Sequence, residues 1–342
     1  MILDNPYLHA LIVGLPLLAV ALTVAGFGVF YERRFAAWIQ LRRGPVWVGP
    51  QGIFQIVADA LKMFQKEDLV PASADQAIFK LASWFPMFLA LSLLAVVPMG
   101  AVEAEDGSWT AAWAVSSLDV GILWPLALGG LMVFPLWAAG WSSNNKYSLL
   151  SGMRMVAQGI SYEIPMVLTA MVPVILAGSL SLDDIVTYQM NHGWFAVWPP
   201  GPGLVAFVIF FLTSLAEADR VPFDIPEAES EIVGGITIEY SGIRMGLFVL
   251  TEYAHTFVAA ALTATLFLGG PHMPFSVGPA WMGVVWLLGK TLFLFFVIYW
   301  IRWTWLRYRA DQLMDLAWRW LVPVSLGLVM LSAVWVQLME GK

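Results

Sequence analysis

Apolar runs long enough to cross the roughly 30 Å hydrocarbon core of a bilayer recur from one end of this chain to the other. They fall near 8–30, 79–102, 120–141, 160–178, 203–215, 245–268, 281–301 and 321–338. Inside lipid every backbone N–H and C=O needs a partner within the protein, and a helix supplies one within a single segment. The expected fold is all-α: a polytopic transmembrane helical bundle of about eight spans, forming one integral membrane domain over 1–342. With 60% hydrophobic and 12% charged residues, and a mean hydropathy of +0.76, a soluble globular protein is excluded.

Lys and Arg set the orientation. With the N-terminus outside, the inside loops hold Arg33, Arg34, Arg42, Arg43, Lys62, Lys66, Lys146, Arg154, Arg220, Arg244, Arg302, Arg307, Arg309 and Arg319. Outside loops hold acidic residues such as Glu103, Glu105, Asp106, Asp183 and Asp184, and Lys342 ends the tail. This bias fits the positive-inside rule and an even number of spans. The net charge of −7 identifies no partner, because charge is segregated by side. The N-terminus lacks a basic n-region and its apolar run is too long for a cleaved signal peptide, so the first span is expected to stay.

There is no cysteine, so neither disulfides nor cysteine-ligated iron–sulfur clusters can form. The four histidines (His9, His192, His255 and His272) have no metal-binding spacing, and any redox metal is assigned to another subunit. Tryptophans cluster near span ends, as an interfacial aromatic belt requires. Polar chemistry is concentrated in inside loops. In the 31–78 loop, Ile53, Ile56, Val57, Ala60, Leu61 and Phe64 share one helical face, and Gln51, Gln55, Asp59, Lys62 and Lys66 the other. That pattern predicts an amphipathic helix near 51–66 lying in the membrane interface, either a plain anchor or a wall of a lipid-substrate cavity.

The inside loop 216–244 is the most acidic part of the chain. Glu217, Asp219, Asp224, Glu227, Glu229, Glu231 and Glu239 stand there with Arg220 and Arg244 as its only basic residues. Carboxylates crowded together cannot all ionise, so some should hold protons near neutrality and respond to nearby charge. Pro222 and Pro226 argue against a regular helix, and in an extended segment Glu227, Glu229 and Glu231 would share one side. The bland reading is a solvated loop; interleaved Val221, Phe223, Ile225, Ile232 and Val233 oppose it. Glu32 gains nothing from the topology rule, and Glu163, near the start of the fourth span, needs a partner or a proton if buried. Glu252 and His255 lie one turn apart in the sixth span, and Lys290 in the seventh either pairs with a carboxylate or snorkels.

Five segments carry a family likeness: YERRFAAWIQLRRGP (31–45), GIFQIVADALKMFQKED (52–68), GWSSNNKYSLLSGMRMVAQGISYE (140–163), AEADRVPFDIPEAESEIVGGITIEYSG (216–242) and RWTWLRYRADQLMDLAW (302–318). Together, over essentially the whole chain, they resemble the H-subunit family of bacterial respiratory complex I, the proton-translocating NADH:quinone oxidoreductase. Departures are Arg34, where the family commonly has Lys, and GPVWVGP at 44–50, where it has GPNxVGP.

The resemblance implies a non-autonomous enzyme component of the bacterial inner membrane that completes a quinone cavity with the hydrophilic arm. Quinone is then the substrate, and this chain alone binds no cofactor. FMN and iron–sulfur clusters belong to partner subunits, the terminal cluster to the hydrophilic arm. Other implied partners are small and antiporter-like membrane-arm subunits and membrane lipid, not nucleic acid. By resemblance, Arg33, Arg42, Asp59, Lys62, Phe223 and Phe248 border the cavity. Glu32, Glu163, Glu217, Asp219, Asp224, Glu227, Glu229, Glu231, Glu239 and Glu252 carry charge coupling. Two alternatives stay open: the homologous membrane subunit of an energy-converting hydrogenase, and a self-contained proton-coupled transporter.

Overall fold

The computed structural model describes residues 6–103, 109–198, 202–226, 229–272 and 281–340. Among them, seven helical stretches are long and apolar enough to cross a membrane: Leu11–Ile39, Gln76–Val96, Leu123–Ser142, Lys146–Ala177, Gly242–Phe267, Met282–Thr304 and Ala310–Met339. The shorter apolar helix Pro202–Glu217 supplies the eighth expected run. Glu105, Asp106, Glu227 and Lys342 lie outside the described residues.

Helix α1 (Pro6–Ile39) runs on past the expected end of the first span, so Glu32, Arg33 and Arg34 are helical. A turn at Pro50–Gly52 then leads into α2 (Gln55–Gln65). Gly52, at φ +79°, has no room for a side chain beside the Pro45 carbonyl. The amphipathic α2 lies across α1 and α10 (Gly242–Phe267), with Ile56 over Gly26 and Met63 over Gly246. Its Val57, Leu61 and Phe64 stay exposed, as an interfacial helix requires.

Asp75 caps α3 (Gln76–Ser92) by accepting from the amides of Ala77 and Ile78. A short antiparallel hairpin follows, β1 (Gly100–Glu103) on β2 (Trp109–Ala112), with Ala101 opposite Ala111. The third span is two helices, α4 (Leu123–Leu131) and α5 (Val133–Ser142), broken at Met132. Helix α6 (Lys146–Ala177) starts well before its apolar run, capped by Asn145, and stops at left-handed Gly178. The shorter α7 (Leu182–His192) precedes α8 (Pro202–Glu217). After the helical turn α9 (Glu229–Ile232) come α10, α11 (Met282–Thr304) and α12 (Ala310–Asp315). A π-helical turn, Leu316–Leu321, joins α12 to α13 (Val322–Glu340).

Helix α10 is the central post. Every residue from Tyr253 to Phe267 is buried, and the helix packs against α1, α3, α8 and α11. A helix enclosed on all sides must satisfy its polar side chains internally. Thr256, Thr263 and Thr265 do so by donating to the carbonyls of Glu252, Ala259 and Ala261, one turn back.

Among the described residues Lys290 has no carboxylate partner, and its ammonium is drawn inward and does not snorkel. Its ammonium donates to the carbonyls of Leu268, Gly270 and His272 at 2.7–2.9 Å, just beyond the end of α10, and sits 4.7 Å from the Trp194 ring centre. A cation at a helix C-terminus also opposes the negative pole of the helix dipole. Lys290→Met should therefore destabilise the chain by about 2–3 kcal/mol, because three carbonyls lose a charged donor. Thermal unfolding of the purified protein in detergent measures this, and an unchanged midpoint would remove the clamp from the account.

Candidate functional site

At the end of α8 the chain turns sharply. Asp219 adopts a left-handed conformation (φ +50°), and the next side chain, Arg220, is driven inward until none of it is exposed. Its Nε donates to Thr256 Oγ1 at 2.9 Å, its Nη1 lies 2.8 Å from Glu252 Oε1 and 3.5 Å from Glu32 Oε2, and its guanidinium covers the Tyr253 ring at 4.3 Å. Arg302 of α11 approaches the same carboxylates, 3.1 Å from Glu32 and 3.7 Å from Glu252. The Tyr253 hydroxyl donates to Glu32 at 2.7 Å. Two cations and two anions from α1, α10, α11 and the turn after α8 thus neutralise one another. Burial alone would lower the Arg220 pKa, but Glu252, Tyr253 and Glu32 together raise it, so the guanidinium stays charged.

Glu252 links this network to a second group. A cavity of about 40 Å³ is walled by Glu252, Thr251, His255, Glu217 and Asp219, with Phe248 at its edge. Glu217 also borders two smaller cavities, of about 20 Å³ and 10 Å³, the latter shared with His255. A void of roughly 10–15 Å³ accommodates one water where polar partners exist. Among the described residues, the buried Thr251 hydroxyl has no protein partner, which makes this wall polar enough for water. Gln158 of α6 ties down the turn by donating to the Ala216 carbonyl at 2.7 Å and to Asp219 at 3.3 Å. Glu163 of α6 and Glu217 of α8 both reach α4, at Gly130 and Gly129 respectively.

The remaining acidic residues find separate partners. Asp224 pairs with Arg307 at 2.7 Å; burial raises its carboxyl above the usual range, with Arg307 opposing. Glu231 meets Arg154 at 2.5 Å, and Glu239 accepts from Asn145 at 2.7 Å. Glu229 opens α9, so Glu229–Ile232 is a helical turn where the sequence suggested extended chain. These partners come from α6 and from the loop before α12, which is why the segment looked starved of basic residues when read alone.

The residues assigned to the cavity border are spread more widely. Arg33 pairs with Asp59 at 2.5 Å and fastens α1 to α2, with Gln55 donating to the same carboxylate. Arg42 donates to Gln40, and Lys62 is exposed. Phe223 is buried between Tyr162 and Tyr308, at centroid distances of 5.3 and 6.1 Å, and Phe248 stacks edge-on against Tyr240. Sequence reasoning missed Arg220, Arg302 and Tyr253. The available signal was Arg220 itself, a lone cation set among carboxylates and followed by apolar residues.

Removing one member of a buried ion network strands the charges left behind. Arg220→Met should cost about 3–5 kcal/mol in stability. Adding Glu252→Gln should recover part of that loss, because one stranded anion is gone. Denaturation of the purified chain in detergent reads both effects, and strictly additive losses would show that the two residues do not interact.

Comparison with known proteins identifies the family. The model of the NADH dehydrogenase family matches residues 12–333. The H subunit of the NADH-quinone oxidoreductase of Brevibacillus brevis is 42% identical over 330 residues, covering 95% of this chain and 92% of the relative. The protein of the same name from Rhodospirillum centenum is 44% identical over 321 residues, 93% and 91% of the two chains. The corresponding Thermus thermophilus protein, numbered 8 among the subunits of its NADH-quinone oxidoreductase, is 41% identical over 334 residues, 98% and 88% of the two. With that match and its set of apolar helices, the chain is a multi-pass membrane protein and belongs to the NADH dehydrogenase family.

Proposed function

We propose that this chain is the membrane subunit of a proton-translocating NADH-quinone oxidoreductase, that it walls the quinone cavity together with the hydrophilic arm, and that it passes charge changes at the quinone into the membrane. The relatives' names support that complex over a hydrogenase. Membership of such a complex also weighs against a self-contained transporter. The observation that carries the coupling half is Glu252, which belongs at once to the buried ion network and to the cavity walled by Glu217.

A quinone tail is hydrocarbon and reaches its site from the bilayer. The interfacial α2, held to α1 by Arg33 and Asp59, forms the mouth with α10. On this reading Phe248 and the loop around Phe223 are assigned to its wall, and the exposed Arg42 and Lys62 to its rim. Reduction to quinol takes up two electrons and two protons. The electrons come from an iron–sulfur cluster in a hydrophilic-arm partner, since this sequence has no cysteine to hold one.

What this chain does is respond to charge. At an effective dielectric constant of about 20, a unit charge roughly 8 Å away is worth about 2 kcal/mol. Negative charge arriving at the headgroup attracts Arg220 and Arg302 and weakens their hold on Glu32 and Glu252. Glu252 then competes for a proton, which exchanges across the polar cavity with Glu217 and onward to Glu163. The remaining carboxylates assigned to coupling, Asp219, Asp224, Glu227, Glu229, Glu231 and Glu239, add to the field around that path. Antiporter-like and small membrane-arm subunits receive the shift. The chain is one integral domain of the bacterial inner membrane, its N-terminus outside, with lipid around the bundle.

Glu217→Gln and Glu163→Gln keep size and hydrogen bonding but remove titration. In the assembled complex each should lower quinone reductase rate and membrane potential together, by about 10²-fold or more, with assembly intact. Full rates in both variants would remove these carboxyls from the coupling.

A further inference from the structure

Gly129 and Gly130 sit inside α4, where glycine is disfavoured relative to alanine, and neither has the positive φ that would demand it. Some helical glycines here make room for a neighbouring helix: a Cβ on Gly140 would strike the Ser148 carbonyl, and one on Gly159 the Val133 side chain. This pair is different. A Cβ on Gly129 would overlap the Glu217 carboxyl, and one on Gly130 would lie 2.7 Å from Glu163 Cδ and 3.0 Å from its Oε2. Real Cβ atoms essentially never approach that closely.

We propose that Gly129 and Gly130 are positioning residues that seat the Glu217 and Glu163 carboxyls against the backbone of α4. Consecutive helical residues point about 100° apart, so the two carboxyls meet adjacent sides of one turn. One comes from α8 and the other from α6. Their mutual placement is then set by a third helix, immediately before its break at Met132. Gly129 also borders the cavity of about 20 Å³ shared by Glu217 and Asp219, so the seat opens onto the space through which Glu217 exchanges protons. A methyl group at either position meets the far end of a flexible side chain and not a backbone. It therefore displaces a carboxyl without breaking the fold.

The inference rests on the reading of Glu163 and Glu217 as proton carriers, and the test separates the two. Gly129→Ala, Gly130→Ala, Glu217→Gln and Glu163→Gln are made in the intact complex, with Gly327→Ala as control, since a Cβ there meets nothing within 4 Å. Assembly, quinone reductase rate and membrane potential are measured in the same vesicles. Both alanine variants should assemble and lose about 10- to 100-fold in rate, the scale of a misplacement of roughly 1 Å.

Glu163→Asp shortens the carboxyl arm by one methylene. The residual rate of Gly130→Ala combined with Glu163→Asp should therefore be about fivefold or more above the product of the two single residual rates, whereas Gly327→Ala combined with Glu163→Asp should simply multiply. Unchanged rates in the alanine variants, with the Gln variants impaired, overturn the positioning role and leave the carrier reading standing. Unchanged rates in the Gln variants overturn both. If Gly130→Ala fails to assemble, assembly restored by Glu163→Asp upholds the contact, and continued failure assigns the glycine to helix packing.

Discussion

Arg220 carries a full charge with no exposed surface, and that forces much of what surrounds it. A buried cation is tolerated only with anions and hydrogen-bond acceptors arranged about it. Here they come from distant parts of the chain: Glu32 on α1, Glu252 and Thr256 on α10, with Arg302 on α11 balancing the second carboxylate. The network holds the C-terminal ends of α1 and α11 and the first half of α10 together around the turn that closes α8. Unlike apolar packing, it is sensitive to charge. A set of ions that is neutral only when all are present re-sorts when another charge arrives nearby.

That sensitivity is useful only if something rigid surrounds it. Helix α10 supplies the rigidity: from Tyr253 to Phe267 every residue is buried, Thr256, Thr263 and Thr265 bond to their own helix, and Lys290 clamps its far end. Along its length it presents Thr251, Glu252 and His255 to one polar cavity. Two smaller voids lead on to Glu217, and α4 receives both Glu217 and Glu163 at its glycine pair. On the proposed function, the ion network senses the quinone and the cavities carry the response, with Glu252 common to both.

The helical spans and the interfacial α2 were legible in the sequence because both are periodic, local signals. Long apolar windows and a 3.6-residue alternation need no knowledge of partners. Boundaries were less so: α6 begins at Lys146 because its polar first half is covered by α5 and the turn at Gly235–Thr237, and the breakers that flank the interruption at Met132, Gly129–Gly130 and Pro135, sit inside one unbroken apolar run. The site was legible as a set of carboxylates and opaque as an arrangement. Arg220 reads as a topology charge until Glu32, 188 positions away, is placed beside it. Arg154 and Arg307 reach the acidic segment from elsewhere in the same way. Gly129 and Gly130 carry no motif, since their meaning lies in what α6 and α8 bring against them.

The central claim is that charge at the quinone changes the protonation of carboxyls inside this chain. Infrared difference spectroscopy of the assembled complex, triggered by quinone reduction, observes protonated carboxyl groups directly. The account expects a carboxyl band that changes on reduction, is lost in Glu217→Gln, and is shifted or weakened when Arg220 is replaced by methionine. A redox difference spectrum with no carboxyl change, or with one unaffected by either substitution, would contradict it.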